Sequence, residues 1–109
     1  RPTRLLAAIG PHIGPESFEV GEDVAAEIQA AARREPVVVR GYDKPHVDLA
    51  RVIEAQLRAR GVHERRIERV GGCTFANPGE FHSFRRDGKR SGRLLAAIEA
   101  RAAADPAAW

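Results

Sequence analysis

The sequence contains no methionine, a single cysteine and few aromatic residues, and these shortages narrow what the chain can be. With Cys73 alone, no internal disulfide can form, which suits a reducing compartment and leads us to predict a cytoplasmic protein. Aromatic residues make up only 6% of the chain, which does not favour a surface that stacks single-stranded bases. No apolar run approaches the roughly 20 residues that span a bilayer, so we predict no membrane association.

The motifs of several common active sites are also missing. There is no phosphate-binding G-x-x-x-x-G-K-[ST] loop and no G-x-S-x-G nucleophile motif. The stretch GPHIGP (10–15) has prolines where a phosphate loop needs amide donors, so we interpret it as a rigid turn. No pair of potential metal ligands has the spacing of a known metal motif, so we predict no metal site built from this chain alone; the residues considered are His12, His46, His63, Cys73 and His82.

The composition is that of a folded domain with a mild positive charge. The chain has 109 residues, 43% of them hydrophobic and 30% charged, with a formal net charge of +3. This size fits one domain, or part of one, without an internal boundary. A charge of +3 is weak evidence for a nucleic-acid partner, and basic residues are interleaved with acidic ones, so a nucleic-acid-binding module is only an alternative. Because the chain begins with Arg1, we expect an internal start.

Hydrophobic periodicity predicts alternating strands and helices. Ser17 is the expected N-cap of the first helix and Gly61 the expected end of the second. We predict an α/β or α+β layered fold with mixed sheets, because short strands follow one another closely at the C-terminal end. In chain order the prediction is a strand at 4–10, a helix at 17–35, a short strand followed by a polar turn within 36–47, and a helix at 46–62. Strands at 65–73 and 80–88, a strand or helix within 92–104, and a mobile tail follow.

Four polar residues are candidates for a catalytic, binding or structural role. Cys73 follows three arginines that could lower the pKa of its thiol, although a small buried hydrophobic residue is the commoner role. Asp48 lies one turn into the predicted second helix, where a carboxylate compensates the helix dipole near its N-terminus. Arg85 and Arg86 should point to opposite faces of a strand, so only one can face a given pocket, where a guanidinium would suit a carboxylate or phosphate.

Several stretches together resemble the C-terminal portion of one known family. They are AAIGPHIGPESFEVGEDV, HVDLARVIEAQLRARGV and GGCTFANPGEFHSFRRDGKRSGRLLAAI. The resemblance is to multicopper polyphenol oxidases, or laccase-domain proteins, whose members are also described as zinc-dependent purine nucleoside phosphorylases, adenosine deaminases and peptidoglycan editing factors. The match runs over 5–98. It departs from the family at Glu16-Ser17, where many members carry two cysteines, and at His82, where an aromatic residue is usual.

The resemblance implies that this chain is the C-terminal part of a larger α/β layered sandwich with mixed sheets. It implies that 92–98 is a strand, and that the metal ligands, two histidines and a cysteine, come from motifs that this chain does not contain. The expected cofactor is zinc, with copper as the alternative. The absence of His-x-His and of methionine gives the copper oxidase little support.

The resulting functional hypothesis is part of a zinc-dependent enzyme acting on a purine nucleoside and phosphate. Arg85 and Arg86 are the predicted substrate-binding residues, and no catalytic or metal-binding residue is assigned within this chain. The alternatives are a polyphenol oxidase, a hydrolase editing peptidoglycan precursors, and a basic nucleic-acid-binding module. The oligomeric state is left open.

Overall fold

A computed structural model describes residues 4–98 of the chain. Within that range no helix is long and apolar enough to cross a membrane. The strands and helices are β1 (Ala7–Ile9), α1 (Glu22–Ala31), β2 (Val38–Val39), β3 (His46–Val47), α2 (Leu49–Ala59), β4 (Ile67–Arg69) and α3 (Phe84–Asp87). Two short 3-10 turns lie at Glu64–Arg66 and Gly88–Arg90.

The hydrophobic core lies between α1, α2 and a small antiparallel pair. In that pair β2 lies beside β3, with Val38 opposite Val47. The valines at these positions are β-branched and suit a strand buried on one face. Both helices turn an apolar stripe toward the pair, as their periodicity predicts. The buried cluster consists of Val20, Ala25, Ala32, Val37, Val47 and Val52.

A second, parallel pair forms the other part of the fold. β1 runs parallel to β4, with Ala7 opposite Ile67 and Ile9 opposite Arg69. The connection between them contains α1, β2, β3 and α2, since parallel neighbours need a long crossover. Beyond the strands, His12 and Cys73 continue the parallel pairing as an isolated bridge. One parallel and one antiparallel pair confirm the predicted mixed α/β fold.

The second helix ends where its sequence predicts but begins later, because His46 and Val47 form β3 and α2 starts at Leu49. The Asp48 carboxylate caps α2 by accepting a hydrogen bond from the backbone N–H of Arg51, at 3.2 Å. At the other end, Gly61 has a φ of 97°, a left-handed conformation that glycine adopts without the steric penalty of a side chain. Asp48 therefore acts at the cap itself, and not one turn into the helix.

The start of the first helix differs from the prediction. Ser17 is not the N-cap, because α1 begins at Glu22 after Gly21. Residues 18–20 instead lie antiparallel to 45–47: the N–H of Val20 donates to Pro45 and the N–H of Val47 donates to Phe18. The apolar positions of this stretch thus serve a strand-like pairing before the helix begins.

The predicted strands near the C-terminal end are also wrong. Phe84–Asp87 form one helical turn and not part of a strand, with Ser83 as the N-cap. The alternation of apolar and polar residues over 80–88 covers too few residues to separate a period of two from one helical turn. Residues 91–98 form no ladder with any other described part of the chain. The remainder of the 92–104 segment and the tail lie outside the described residues.

Candidate functional site

A groove forms where three separate stretches of the chain meet. They are the GPHIGP turn, the turn at Cys73 and Thr74, and the FHSFRR stretch. We call it the Arg85 groove. Its volume is about 280 Å³, close to the lower limit of small-molecule sites, so it has the size of one wall or subsite of a larger pocket. The residues lining it are Pro11, His12, Ile13, Phe18, Thr74, His82, Ser83, Phe84, Arg85 and Leu94.

Backbone contacts hold the first two stretches together. The N–H of Thr74 donates to the carbonyl of His12 at 2.9 Å. A Cβ added at Gly71 would lie 2.5 Å from the ring of Pro11, and Gly71 has a φ of 93°. Glycine is therefore needed there twice, for its conformation and for the close approach of the proline ring. This packing fixes one wall of the groove.

Cys73 lies beneath that wall, with its sulfur facing backbone amides. The N–H groups of Gly14 and Ala76 lie 3.1 Å and 3.4 Å from its Sγ. Partial burial of the thiol opposes ionisation, but these amides, the N–H of Phe75 and the Ser17 hydroxyl together lower the pKa of Cys73 below its usual range. Arg65, Arg66 and Arg69, which the sequence suggested as the cause, are not responsible for this shift. The thiol is half-buried and packs against Gly14.

Arg85 lies at the edge of the groove with its guanidinium held from one side. One nitrogen donates to the carbonyl of Glu19 at 3.0 Å. The guanidinium carbon lies 5.3 Å from the centre of the Phe18 ring, within the range of a cation–π contact. A guanidinium has five N–H donors, and one is committed among the contacts of residues 4–98. The others are available to an anion in the groove.

Arg86 is placed quite differently. Its side chain is only 19% exposed. The guanidinium donates to the carbonyls of Thr74 at 2.7 Å, Phe75 at 3.1 Å and Phe81 at 2.8 Å. It also pairs with the carboxylate of Asp87 at 2.8 Å. Arg85 and Arg86 thus point in different directions from the same helical turn, and only Arg85 lines the groove.

Two of the four histidines lie at the groove. The Nδ1 of His12 lies 2.9 Å from the carbonyl oxygen of Gly10; because a carbonyl only accepts, this nitrogen is the donor. The His82 ring packs against Gly92, where an added Cβ would lie 2.6 Å away. Both imidazoles are therefore held in place at the rim.

The other two histidines have structural roles. His46 is buried, donates from Nδ1 to the carbonyl of Pro15 at 2.7 Å, and stacks on Tyr42 at 3.8 Å. The exposed His63 accepts a hydrogen bond from the N–H of Arg65 at 3.1 Å. Among the described residues, no three His, Cys, Asp or Glu side chains converge in a way that could hold a metal ion.

A larger cavity, of about 740 Å³, lies beside the C-terminal end of α2. It is lined by Arg58 and by residues 61–66, and none of its lining residues belongs to the GPHIGP, Cys-Thr-Phe or Phe-Arg-Arg motifs. We favour the Arg85 groove as the candidate site because three motif-bearing stretches converge there and their backbones are held together by hydrogen bonds.

Comparison with known proteins gives a consistent family relationship. A family model described as "Multi-copper polyphenol oxidoreductase laccase" matches residues 1–101. A "Purine nucleoside phosphorylase" of Deinococcus radiodurans is 42% identical over 98 residues, which cover 90% of this chain and 37% of that protein. "Adenosine deaminase RL5", from an unknown prokaryotic organism, is 36% identical over 98 residues, which cover 87% of this chain and 37% of that protein.

The fold has a counterpart among solved structures. The crystal structure of YlmD from Geobacillus stearothermophilus superposes with a TM-score of 0.66 at 30% identity, covering 73% of this chain and 31% of the other. This chain is thus a mixed α/β protein with the fold of part of a larger domain. It belongs to the multi-copper polyphenol oxidoreductase laccase family, as its motifs predicted, and it spans a little over a third of the length of the curated relatives named above.

The sequence predicted a binding role for Arg85 but gave none to the aromatic residues around it. Phe18 lies under the guanidinium, and Phe84 is 73% exposed beside the groove. An aromatic residue directly before an arginine pair was visible in the sequence, yet the strand assignment gave it no role. A strongly exposed phenylalanine at the rim of a groove is the kind of surface that marks a contact with a ligand or another protein segment.

Proposed function

We propose that the protein cleaves purine nucleosides with phosphate, and that the Arg85 groove supplies part of the phosphate subsite. The observation that carries this proposal is the available guanidinium of Arg85 at a groove formed by three family motifs. The names of its relatives support it: one that is 42% identical is called a purine nucleoside phosphorylase. Arginine suits this task because its planar donors match the oxygens of a phosphate.

In the proposed reaction a phosphate oxygen attacks C1′ of the ribose. The bond between C1′ and the purine nitrogen breaks and its electron pair leaves with the base. The base takes up the proton that the phosphate hydroxyl loses when its oxygen bonds to C1′. Arg85 would orient the phosphate and balance its charge, which is worth most when the donors are fixed before the substrate arrives. The contacts to Glu19 and Phe18 hold the guanidinium in that way.

Zinc remains a prediction of the family resemblance, with copper as its alternative. Residues 4–98 contain no cluster able to hold either metal, so no step of the proposed reaction is assigned to one. Metal analysis of the intact protein, as purified from cells, would test this part. One zinc per chain would support the zinc enzyme, whereas copper with oxidation of a phenol would support the oxidase.

The reaction is tested by incubating the intact protein with adenosine or inosine and phosphate, and by analysing the products. Free purine base and ribose 1-phosphate, formed only when phosphate is present, are the expected products. Replacing Arg85 with glutamine should raise the KM for phosphate by about tenfold or more, with a smaller effect on the KM for the nucleoside. Replacing the exposed Arg90 with glutamine is the matched control.

Deamination is the second candidate, because a relative 36% identical is named an adenosine deaminase. Conversion of adenosine to inosine without phosphate would favour it and would remove the role proposed for Arg85. Failure to release base or ammonia from either nucleoside would contradict both activities. Hydrolysis of a peptidoglycan precursor by the same preparation would then support the editing enzyme.

A further inference from the structure

The two adjacent arginines contact different parts of the protein, and we propose that they have different tasks. The inference is that Arg86 is a positioning residue, which fixes the walls of the groove so that Arg85 faces the phosphate. This inference rests on the proposed function. It gives Arg86 a positioning role in place of the direct substrate binding predicted from the sequence. The geometry that carries it is the contact of one guanidinium with carbonyls from two separate stretches of the chain.

The first contact is with the turn that follows Cys73. Arg86 donates to the carbonyls of Thr74 and Phe75 from a single nitrogen, at 2.7 Å and 3.1 Å. Thr74 itself lines the groove, and its N–H is bound to the carbonyl of His12 on the opposite stretch. Arg86 therefore holds the turn that joins two walls of the groove.

The second contact holds the residues that lead into the helical turn α3. The other terminal nitrogen of Arg86 donates to the carbonyl of Phe81 at 2.8 Å. The backbone N–H of Arg86 donates to the hydroxyl of Ser83 at 3.2 Å, and the backbone N–H of Asp87 donates to the carbonyl of Ser83 at 2.9 Å. A helix of four residues is too short to be stable by itself, so these contacts keep it formed.

The carboxylate of Asp87 completes the arrangement. Its two oxygens accept from Nε and from a terminal nitrogen of Arg86, at 3.0 Å and 2.8 Å. The hydrogen bond from this guanidinium, the largest influence, lowers the pKa of Asp87 below its usual range. The charge of Arg86 is thus already balanced within the protein, whereas Arg85 faces a backbone carbonyl and an aromatic ring.

Lysine cannot reproduce these contacts. An ammonium group is a compact charge with three donors, whereas the guanidinium reaches carbonyls on two stretches and a carboxylate at once. Replacing Arg86 with lysine should therefore keep the positive charge but release the turn at Thr74 from α3. Arg85 should then lose its fixed direction toward the groove.

The first test is chemical and does not depend on catalysis. The intact protein is treated with phenylglyoxal, which modifies accessible guanidinium groups, and each arginine is followed by mass spectrometry with and without inorganic phosphate. We expect Arg85 to be modified and protected by phosphate, and Arg86 to resist modification in both cases. In R86K, the phosphate concentration that half-protects Arg85 should rise by about tenfold. Modification of Arg86 that phosphate prevents directly would overturn the proposal.

The second test separates positioning from general loss of structure. A variant that is only less folded would lower kcat without changing either KM. We expect R86K to raise the KM for phosphate by about tenfold while the KM for the nucleoside changes less than about twofold. The double variant R85Q/R86K should resemble R85Q alone, because Arg86 acts through Arg85. Additive effects of the two changes on the KM for phosphate would contradict the proposal.

A milder substitution covers the case in which R86K does not fold. Replacing Asp87 with asparagine removes the charged partner but leaves the guanidinium and its three carbonyl contacts. The phosphate concentration that half-protects Arg85 should therefore rise above that of the unchanged protein, by less than about tenfold. R90Q, one turn further along, should leave protection unchanged. If the protein releases no base from any nucleoside but the labelling pattern holds, the proposed reaction fails while the division between Arg85 and Arg86 stands.

Discussion

The chemistry of Cys73 shows how a single residue depends on the backbone around it. Its sulfur lies among amide N–H groups contributed by Gly14 and by the residues that follow it in the turn. Amide dipoles favour the thiolate over the neutral thiol without any charged neighbour. The three arginines before Cys73 in the sequence are therefore not needed to explain its lowered pKa.

The pKa of Cys73 can be tested by alkylation at different pH values. Since the thiolate is the reactive form, the rate with iodoacetamide, read on the peptide containing Cys73, should reach half its maximum below the ordinary thiol pKa of about 8.5. Replacing Ser17 with alanine should move this midpoint upward, because its hydroxyl stabilises the thiolate. A midpoint at or above the ordinary value would contradict the amide explanation.

The same shift makes stability depend on pH in a defined direction. Between the folded pKa and the higher unfolded pKa of about 8.5, the unfolded chain binds more protons, so the free energy of unfolding rises with pH. Below the folded pKa this contribution is lost. Replacing Cys73 with serine, which does not titrate in this range, should remove the rise from a series of urea unfolding curves. An unchanged pH dependence in C73S would assign it to other groups.

At the scale of elements, α2 has a side-chain cap and α1 does not. The first helix starts after Gly21, which provides no side-chain hydrogen bond, whereas Asp48 binds the N–H of Arg51 at the start of α2. One orphan amide of α2 is thereby satisfied, and the carboxylate faces the positive end of the helix dipole. The stability of α2 should therefore depend on which residue occupies position 48.

Replacing Asp48 with alanine should lower the free energy of unfolding by about 1 kcal/mol, within the range of about 0.5–2 measured for lost caps. Asparagine at the same position should restore most of the stability, because it keeps the capping oxygen and removes only the charge. Urea unfolding followed by circular dichroism would measure both changes. Equal losses in D48A and D48N would assign the effect to the charge and not to the cap.

The elements also show how far sequence reasoning reaches. The core-facing stripe of α2, its end at Gly61 and the placing of Asp48 near its N-terminus could be predicted, because each depends on residues within one or two turns. The start of α1 could not, since residues 18–20 pair with a segment almost thirty positions further along. The turn at Phe84–Asp87 is likewise fixed by distant carbonyls at Thr74 and Phe75.

The candidate site was predictable in its residues but not in its geometry. The motifs themselves pointed to Arg85 and Arg86, and the family resemblance grouped them with the GPHIGP turn. That Arg86 faces inward and Arg85 faces the groove follows from the helical turn and from three carbonyls. A strand assignment also placed the two side chains apart, but could not say which one faced a pocket.

At the scale of the whole molecule, the apolar surface is unevenly distributed. The buried cluster is confined to the region of α1, α2 and the β2–β3 pair. Large apolar side chains remain exposed directly before β1 and along the last described segment, among them Leu5, Leu6, Leu94, Leu95 and Ile98. Patches of this kind usually mark a surface that contacts other protein. The relatives, of which this chain covers little more than a third, are long enough to provide such contacts.

A pair of substitutions distinguishes these two regions. Val47 is 0% exposed and joins both helices to the β2–β3 pair, so V47A should lower the free energy of unfolding by about 1–3 kcal/mol through the cavity it leaves. Leu95 is 94% exposed, so L95A should change the stability of the 109-residue chain by less than about 0.5 kcal/mol. Both variants would be measured by urea unfolding, in this chain and in the intact protein.

Should L95A be as destabilising as V47A in the intact protein alone, Leu95 must be buried there by residues outside this chain. Should it be harmless in both, the exposed segment would be a true outer surface, and the apolar side chains near it would need another partner.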